Sequence, residues 1–136
     1  MLEEGVLKLN DIREDAKNIK KEFVKSKFVD AAKSIILRDG VSNVTVRRIA
    51  EITDYSYATI YHYFQDLNAL LLETKLSMIN DMMVSGGMQT VNNADPLERV
   101  KQLARMTAGF FVDNPNIFEF FYQFKMDESN VTAMRS

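Results

Sequence analysis

Residues 45–64 read Thr-Val-Arg-Arg-Ile-Ala-Glu-Ile-Thr-Asp-Tyr-Ser-Tyr-Ala-Thr-Ile-Tyr-His-Tyr-Phe, two short helical patterns separated by a three-residue break. In the first, Val46, Ile49, Ala50 and Thr53 fall at i, i+3, i+4 and i+7, so one side of a helix from about Val46 to Ile52 can bury itself. Thr45 is placed to cap its start. Ser56 is placed to cap the second by accepting a hydrogen bond from an amide one turn ahead, and Ile60 and Phe64, four apart, then share the buried side. Tyr57, Thr59, Tyr61 and Tyr63 are left facing outward. Two short helices, the second carrying hydroxyls on its free face, have the layout of a helix-turn-helix that reads DNA.

Such a second helix enters the major groove with its first turn nearest the base edges, while its flanks reach phosphates. Tyr57, Ala58 and Thr59 occupy that turn. Tyrosine and threonine hydroxyls can donate to phosphate or base, and an alanine or threonine methyl can pack on the thymine methyl. Arg47 and Arg48 precede them within reach of the same groove. Arg47 is the favoured partner for a guanine edge, because Arg48 adjoins the buried stripe and can lie along the backbone instead. The one histidine, His62, sits between Tyr61 and Tyr63; it reads as a phosphate or base contact or as a solvated side chain, and it cannot build a multi-histidine metal site.

Upstream, residues 22–38 place Val24, Phe28, Ala31 and Ile35 on one stripe, widened by Ala32, Ile36 and Leu37, and Asp39-Gly40 stops that helix. Phe28 with Ala31-Ala32, the stop at Gly40, Thr45 with Ile49-Ala50, and Ser56, Thr59-Ile60-Tyr61 and Phe64 together resemble the TetR family of bacterial transcriptional regulators. The resemblance covers about residues 22–72 closely and runs on loosely to about residue 124. It implies an all-α fold, a third helix that reads DNA, phosphate contacts at Tyr61 and Tyr63, and a homodimer on a palindromic operator. Two positions depart from the family pattern. Asp54 stands where the family usually has a turn glycine, and aspartate tolerates positive φ better than most residues. Leu67 stands where the family usually has a phosphate-directed lysine, which puts one phosphate contact in doubt.

The net charge of −2 hides an uneven distribution: residues 17–48 hold nine Lys/Arg against three Asp/Glu, a local balance of +6 that leaves −8 for the remainder. That asymmetry can steer DNA to one face, with Lys25 and Lys27 as candidate phosphate contacts. The competing reading is that Lys20, Lys21, Lys25, Lys27 and Lys33 form only a solvated helix face. Cysteine is absent, which excludes disulfides, thiol catalysis and cysteine-ligated metal. No glycine-rich phosphate loop or dinucleotide fingerprint is present, so neither an enzyme nor a bound cofactor is expected. The N-terminus has no secretion signal and no apolar run is long enough to span a bilayer, so no membrane partner and a cytoplasmic address are expected.

Outside this unit, residues 1–21 read as a helical extension in which Ile12, Ala16, Ile19 and Phe23 keep helical spacing. The helix is expected to start near Asp11, either as one long curved helix or as two with a bend near Lys20-Lys21. Its role is open between an arm whose lysines touch DNA backbone and a helix that packs on a neighbour or partner chain. Residues 22–65 form the expected DNA-binding domain, and residues 66–136 an expected helical regulatory or dimerisation region. Asp66 starts a helix with Leu67, Leu70, Leu71, Thr74, Met78 and Met82 along it, ended by Ser85-Gly86-Gly87, and residues 88–94 read as a loop. Asp95-Pro96 restarts a helix burying Leu97, Val100, Ala104, Thr107, Ala108 and Phe111, and Asn114-Pro115 repeats the device.

Phe110, Phe111, Phe118, Phe120, Phe121, Tyr122 and Phe124 with Met78, Met82, Met83 and Met106 are a set that suits a pocket for a hydrophobic small-molecule effector. The plainer reading, core or a dimer face, is preferred because aromatic stripes usually mean packing. The two further long helices of the resembled family find no match, and the tail 126–136 loses periodicity; a fragment is the expectation, against a dimer through the aromatic face or a reduced family member. The leading functional expectation is a repressor released from its operator by an effector. The alternative is an all-helical protein-interaction module.

Overall fold

The computed structural model describes residues 2–85 and 95–124, with side-chain surroundings from residue 8 onward. The described residues are helical, with no strand among them: α1 (Leu2–Asp39), a 3-10 turn (Val41–Asn43), α2 (Val46–Thr53), α3 (Tyr57–Tyr63), α4 (Leu67–Ser85), α5 (Pro96–Asp113), and α6 (Pro115–Phe118), which widens into a π turn over Glu119–Gln123. The expected loop at 88–94 and the tail from 126 lie outside the described residues.

The first helix runs unbroken for 38 residues, about 57 Å, starting nine residues before the expected Asp11. Neither proline nor glycine occurs between Gly5 and Gly40, so nothing in the chain forces a bend. The drift between the N-terminal stripe and the Phe28 stripe has another origin. The two are separate faces about a third of a turn apart, and only the second is covered. Val24, Phe28, Val29, Ala31, Ala32, Ile35 and Ile36 are buried. Leu37 was expected to widen this stripe but is half exposed; nine residues beyond Phe28 at about 100° each, it lies on the opposite side of the helix.

Gly40 ends α1 at φ 93°, a conformation in which a Cβ would be strained. Its amide still donates to the Ile36 carbonyl at 3.0 Å. Downstream, α4 lies along α1 and buries Leu70, Leu71, Thr74 and Met78. Its start is capped as expected, with Asp66 Oδ1 accepting from the Ala69 amide at 2.9 Å. Leu67 is partly buried against the core, so this side chain works in packing. Two cross-helix ion pairs, Lys25–Glu73 and Lys33–Asp81, both at 2.7 Å, join α1 to α4.

The C-terminal part departs further from expectation. Asp95 caps α5 through the Leu97 amide at 3.1 Å, with Pro96 in the first turn. Asn114 instead turns back: its amide nitrogen donates to the Phe110 carbonyl at 2.9 Å and no side-chain bond caps α6. The expected last helix is only four residues before the π turn. From it Ile117 and Phe120 enter the same core as Phe28, and Asn116 Nδ2 donates to the Leu37 carbonyl at the end of α1, at 3.0 Å. The expected buried face of α5 is not buried. Leu97 and Val100 are 60% and 62% exposed, Ala104, Thr107 and Ala108 are exposed, and only Phe111 is partly covered. An amphipathic stripe states that a helix needs a partner; it does not supply one within the described residues.

Candidate nucleic-acid interface

The proposed reading element is built by caps at both ends and a core beneath. Thr45 Oγ1 accepts from the Arg48 amide at 3.1 Å and starts α2. After eight residues the helix stops at Asp54, whose φ of 61° and ψ of 15° are left-handed; the aspartate holds the turn that glycine would otherwise serve. Ser56 Oγ then accepts from the Thr59 amide at 3.2 Å and also lies 2.9 Å from Thr59 Oγ1. Ile60 and Phe64 anchor α3 in the core. Ser56→Ala removes the bond that fixes the first turn of α3, and the expected loss is about 1 kcal/mol in denaturant unfolding. A change under about 0.3 kcal/mol would show the cap to be idle.

On this base the free side of α3 presents Tyr57 and Tyr61, 50% and 51% exposed. Ala58 and His62 are exposed as well, and Thr59 is intermediate. Tyr63 does not face outward as expected. It is partly buried, with its ring 6.0 Å from Phe28, and His62 stands edge-on to it at 5.2 Å. Tyr63 therefore helps to hold the helix on the core and keeps only part of its surface for a partner.

The two arginines differ as their positions in the stripe suggest. Arg47 is exposed, and its guanidinium pairs loosely with Glu51 on the same helix at 3.1 Å, an arrangement that contributes little and yields easily to a phosphate or base. Arg48 is engaged within the chain: one nitrogen meets Asp39 at 2.7 Å and another donates to the Asn43 carbonyl at 3.3 Å. The Arg48 hydrogen bond is the main reason the Asp39 carboxyl titrates below its usual range. Asp39 and Asn43 thus form a clamp that the sequence reading passed over. A carboxylate at the end of one helix and an arginine nine residues on carry no local periodicity to mark the contact.

The lysine face is less basic than its composition. Lys25, read as a phosphate contact, is instead committed to Glu73, with its ammonium 5.2 Å from the Phe64 ring centre. Lys33 meets Asp81. Lys27 stays exposed and lies over the Phe23 ring at 4.8 Å.

Residues 28–74, from the middle of α1 into α4, match the family model described as bacterial regulatory proteins, tetR family. Residues 28–74 therefore form a TetR-family domain. No protein of curated function matches it. Among solved structures, the chain is similar to a TetR-family transcriptional regulator from Haemophilus influenzae, with 20% identity and a TM-score of 0.52 over 76% of this chain. The match spans 57% of that protein's length, and at this identity it speaks for the fold. α2 and α3 are the helix-turn-helix of that TetR-family domain.

The residues read as an effector pocket are scattered in character. Met78 is core between α1 and α4, while Met82 and Met106 are partly buried. Phe111 stacks edge-on with Phe110, Phe118, Phe121 and Tyr122 at 5.5–5.9 Å. Phe118 and Tyr122 extend from that cluster into solvent, 41% and 66% exposed. A cleft of about 560 Å³ lies elsewhere, between α1 and the end of α2, and is lined by Lys27, Asp30, Ser34, Ile52, Thr53 and Tyr55. A second, of about 210 Å³, lies in the groove between α1 and α4. Among the described residues the aromatic set is a ring cluster around Phe111. No helix among them is long and apolar enough to cross a membrane.

Proposed function

We propose that this TetR-like regulator is a repressor that binds a palindromic operator as a homodimer and is released by a small-molecule effector. Residues 22–65 are the reading head and residues 66–136 the regulatory and dimerisation region. Two heads on a two-fold axis place their recognition helices in successive major grooves, about 34–36 Å apart. An effector that prefers a different spacing of the heads lowers operator affinity by its difference in affinity for the two states.

The observation that carries this reading is the half-exposed tyrosine pair, Tyr57 and Tyr61, on a short helix whose first turn is locked by Ser56. Ser56, Tyr57, Ala58 and Thr59 meet the base edges; Thr45, Tyr61, His62 and the exposed part of Tyr63 meet phosphate. Arg47 reads a base, and Arg48, held by Asp39, supports the turn. Selection from random duplex DNA is the test, and enrichment of an inverted repeat is the expected result. Recovery of no sequence preference would leave the helical interaction module as the better description.

The arginines give a sharper outcome. On the selected site, Arg47→Ala should lose about 1–3 kcal/mol and relax the preference at one base pair. Arg48→Ala should lower thermal stability more than it changes sequence preference. A uniform loss over all sequences for Arg47→Ala would reassign that side chain to the phosphates.

A further inference from the structure

The first half of α1 carries an apolar seam that the chain itself leaves bare. Every side chain from Lys8 to Phe23 is exposed, and among them Leu9, Ile12, Ile19 and Phe23 are 55%, 63%, 71% and 59% exposed. With Ala16 these five occur at intervals of three, four, three and four residues. That is the a-d-a-d-a spacing of a left-handed coiled coil rather than the broader stripe of a helix on a globular core. The covered face, around Phe28 and Ile35, points about a third of a turn away, so the core of the head does not occlude the seam. A helix projecting this far without packing is marginal by itself.

We infer that this seam pairs with the same seam of a second copy of the chain, in parallel and in register. The flanking charges decide the occupant and its direction. With Leu9, Ala16 and Phe23 at a, the g positions hold Lys8, Asp15 and Glu22 and the e positions hold Arg13, Lys20 and Lys27. In a parallel pair each g residue meets the e residue five positions later on the partner, which sets Asp15 against Lys20 and Glu22 against Lys27, with Lys8 and Arg13 the one repulsive pair. An antiparallel pair centred on Ala16 sets g against g and e against e: only Lys8 and Glu22 then attract, while Asp15 faces Asp15, Lys20 faces Lys20 and Arg13 faces Lys27. Lys27 already lies across the Phe23 ring at 4.8 Å, as an e-position stem does when it covers the seam. Isoleucine at d leans toward more than two strands, but alanine in the central a layer would leave a four-stranded core hollow. The exposed stripe of α5 has no such complement: where its spacing would put g and e, it carries Leu103, Phe110, Lys101 and Ala108.

This pairing stands whether or not the DNA reading does, and it is tested on the full chain by sedimentation equilibrium from low to high micromolar concentration. The wild-type chain is expected to dimerise with rising concentration, and the I12D/I19D variant to dimerise at least tenfold more weakly while circular dichroism shows the head still folded; contacts made by residues 66–136 alone persist in the variant. D15K should weaken the dimer about tenfold and D15K/K20D restore it, since two attractive pairs per dimer turn repulsive and then attractive again. Because the chain has no cysteine, L9C reports direction. In a parallel dimer it oxidises to a disulfide-linked pair, whereas antiparallel packing leaves the thiols about 21 Å or more apart. A wild-type chain that is monomeric throughout, a dimer equally tight in I12D/I19D, a species larger than a dimer, or L9C that does not cross-link would each overturn the inference.

Discussion

Phe28→Ala is expected to remove about 3–5 kcal/mol of stability, the range for deleting a fully buried phenyl ring. Phe28 has no exposed surface and sits where the head's elements meet. The Tyr55 ring from the turn stands edge-on to it at 5.2 Å, and the Tyr63 and Phe64 rings from α3 lie 6.0 and 6.2 Å away. Truncation opens a cavity under α3 and removes three aromatic contacts together. Domains of this kind have only about 5–15 kcal/mol in total, so the variant should have a greatly lowered denaturation midpoint with a nearly unchanged slope. Phe28→Leu keeps most of the volume and should lose less, about 1.5 kcal/mol. A loss below about 1 kcal/mol for the alanine variant would mean that the recognition helix does not depend on this ring.

What was legible in the sequence was local. Thr45 and Ser56 announce themselves as caps because a hydroxyl one residue before an apolar period has one obvious use. Asp54 could be placed in the turn because few residue types tolerate positive φ. The Phe28 stripe repeats at helical spacing and finds its partners within the same sixty residues. Leu37 was a countable error, since its angle around α1 already put it opposite Phe28.

The misses came from contacts across long separations. Lys25 looks like a solvated cation until Glu73, forty-eight positions later, is seen beside it. Tyr63 looks outward-facing until Phe28 is known to reach it. The face of α5 was read from a sound pattern, yet nothing among the described residues covers Leu97 or Val100. The N-terminal stripe was also read correctly as apolar and helical. Both stripes of α1 alternate steps of three and four; the Phe28 face is broadened by Val29, Ala32 and Ile36, and the N-terminal one is left narrow.

Removing the two half-exposed tyrosines should separate binding from folding. Tyr57→Ala/Tyr61→Ala is expected to weaken binding to the selected operator by about 100-fold or more, taking Tyr61's hydrogen bond to charged phosphate and Tyr57's to a base edge at about 1.5 kcal/mol each in one head. Stability should change little, by about 0.5 kcal/mol per site, because neither ring belongs to the core around Phe28. Tyr57→Phe/Tyr61→Phe keeps the rings and removes only the hydroxyls. Loss equal to that of the alanine pair assigns the effect to donation, and retention of binding assigns it to ring packing on sugar and base. The salt response adds an independent reading, since each phosphate neutralised by a cation steepens the fall of log affinity with log salt by about 0.9. Lys25 and Lys33 are engaged with α4 and Arg48 with Asp39, so Lys25→Ala and Lys33→Ala should leave that slope unchanged, whereas the affinity that Arg47→Ala loses should fall on one base pair. Tyrosine variants that bind as tightly as the wild-type chain, on DNA that it does select, would move the reading surface off α3.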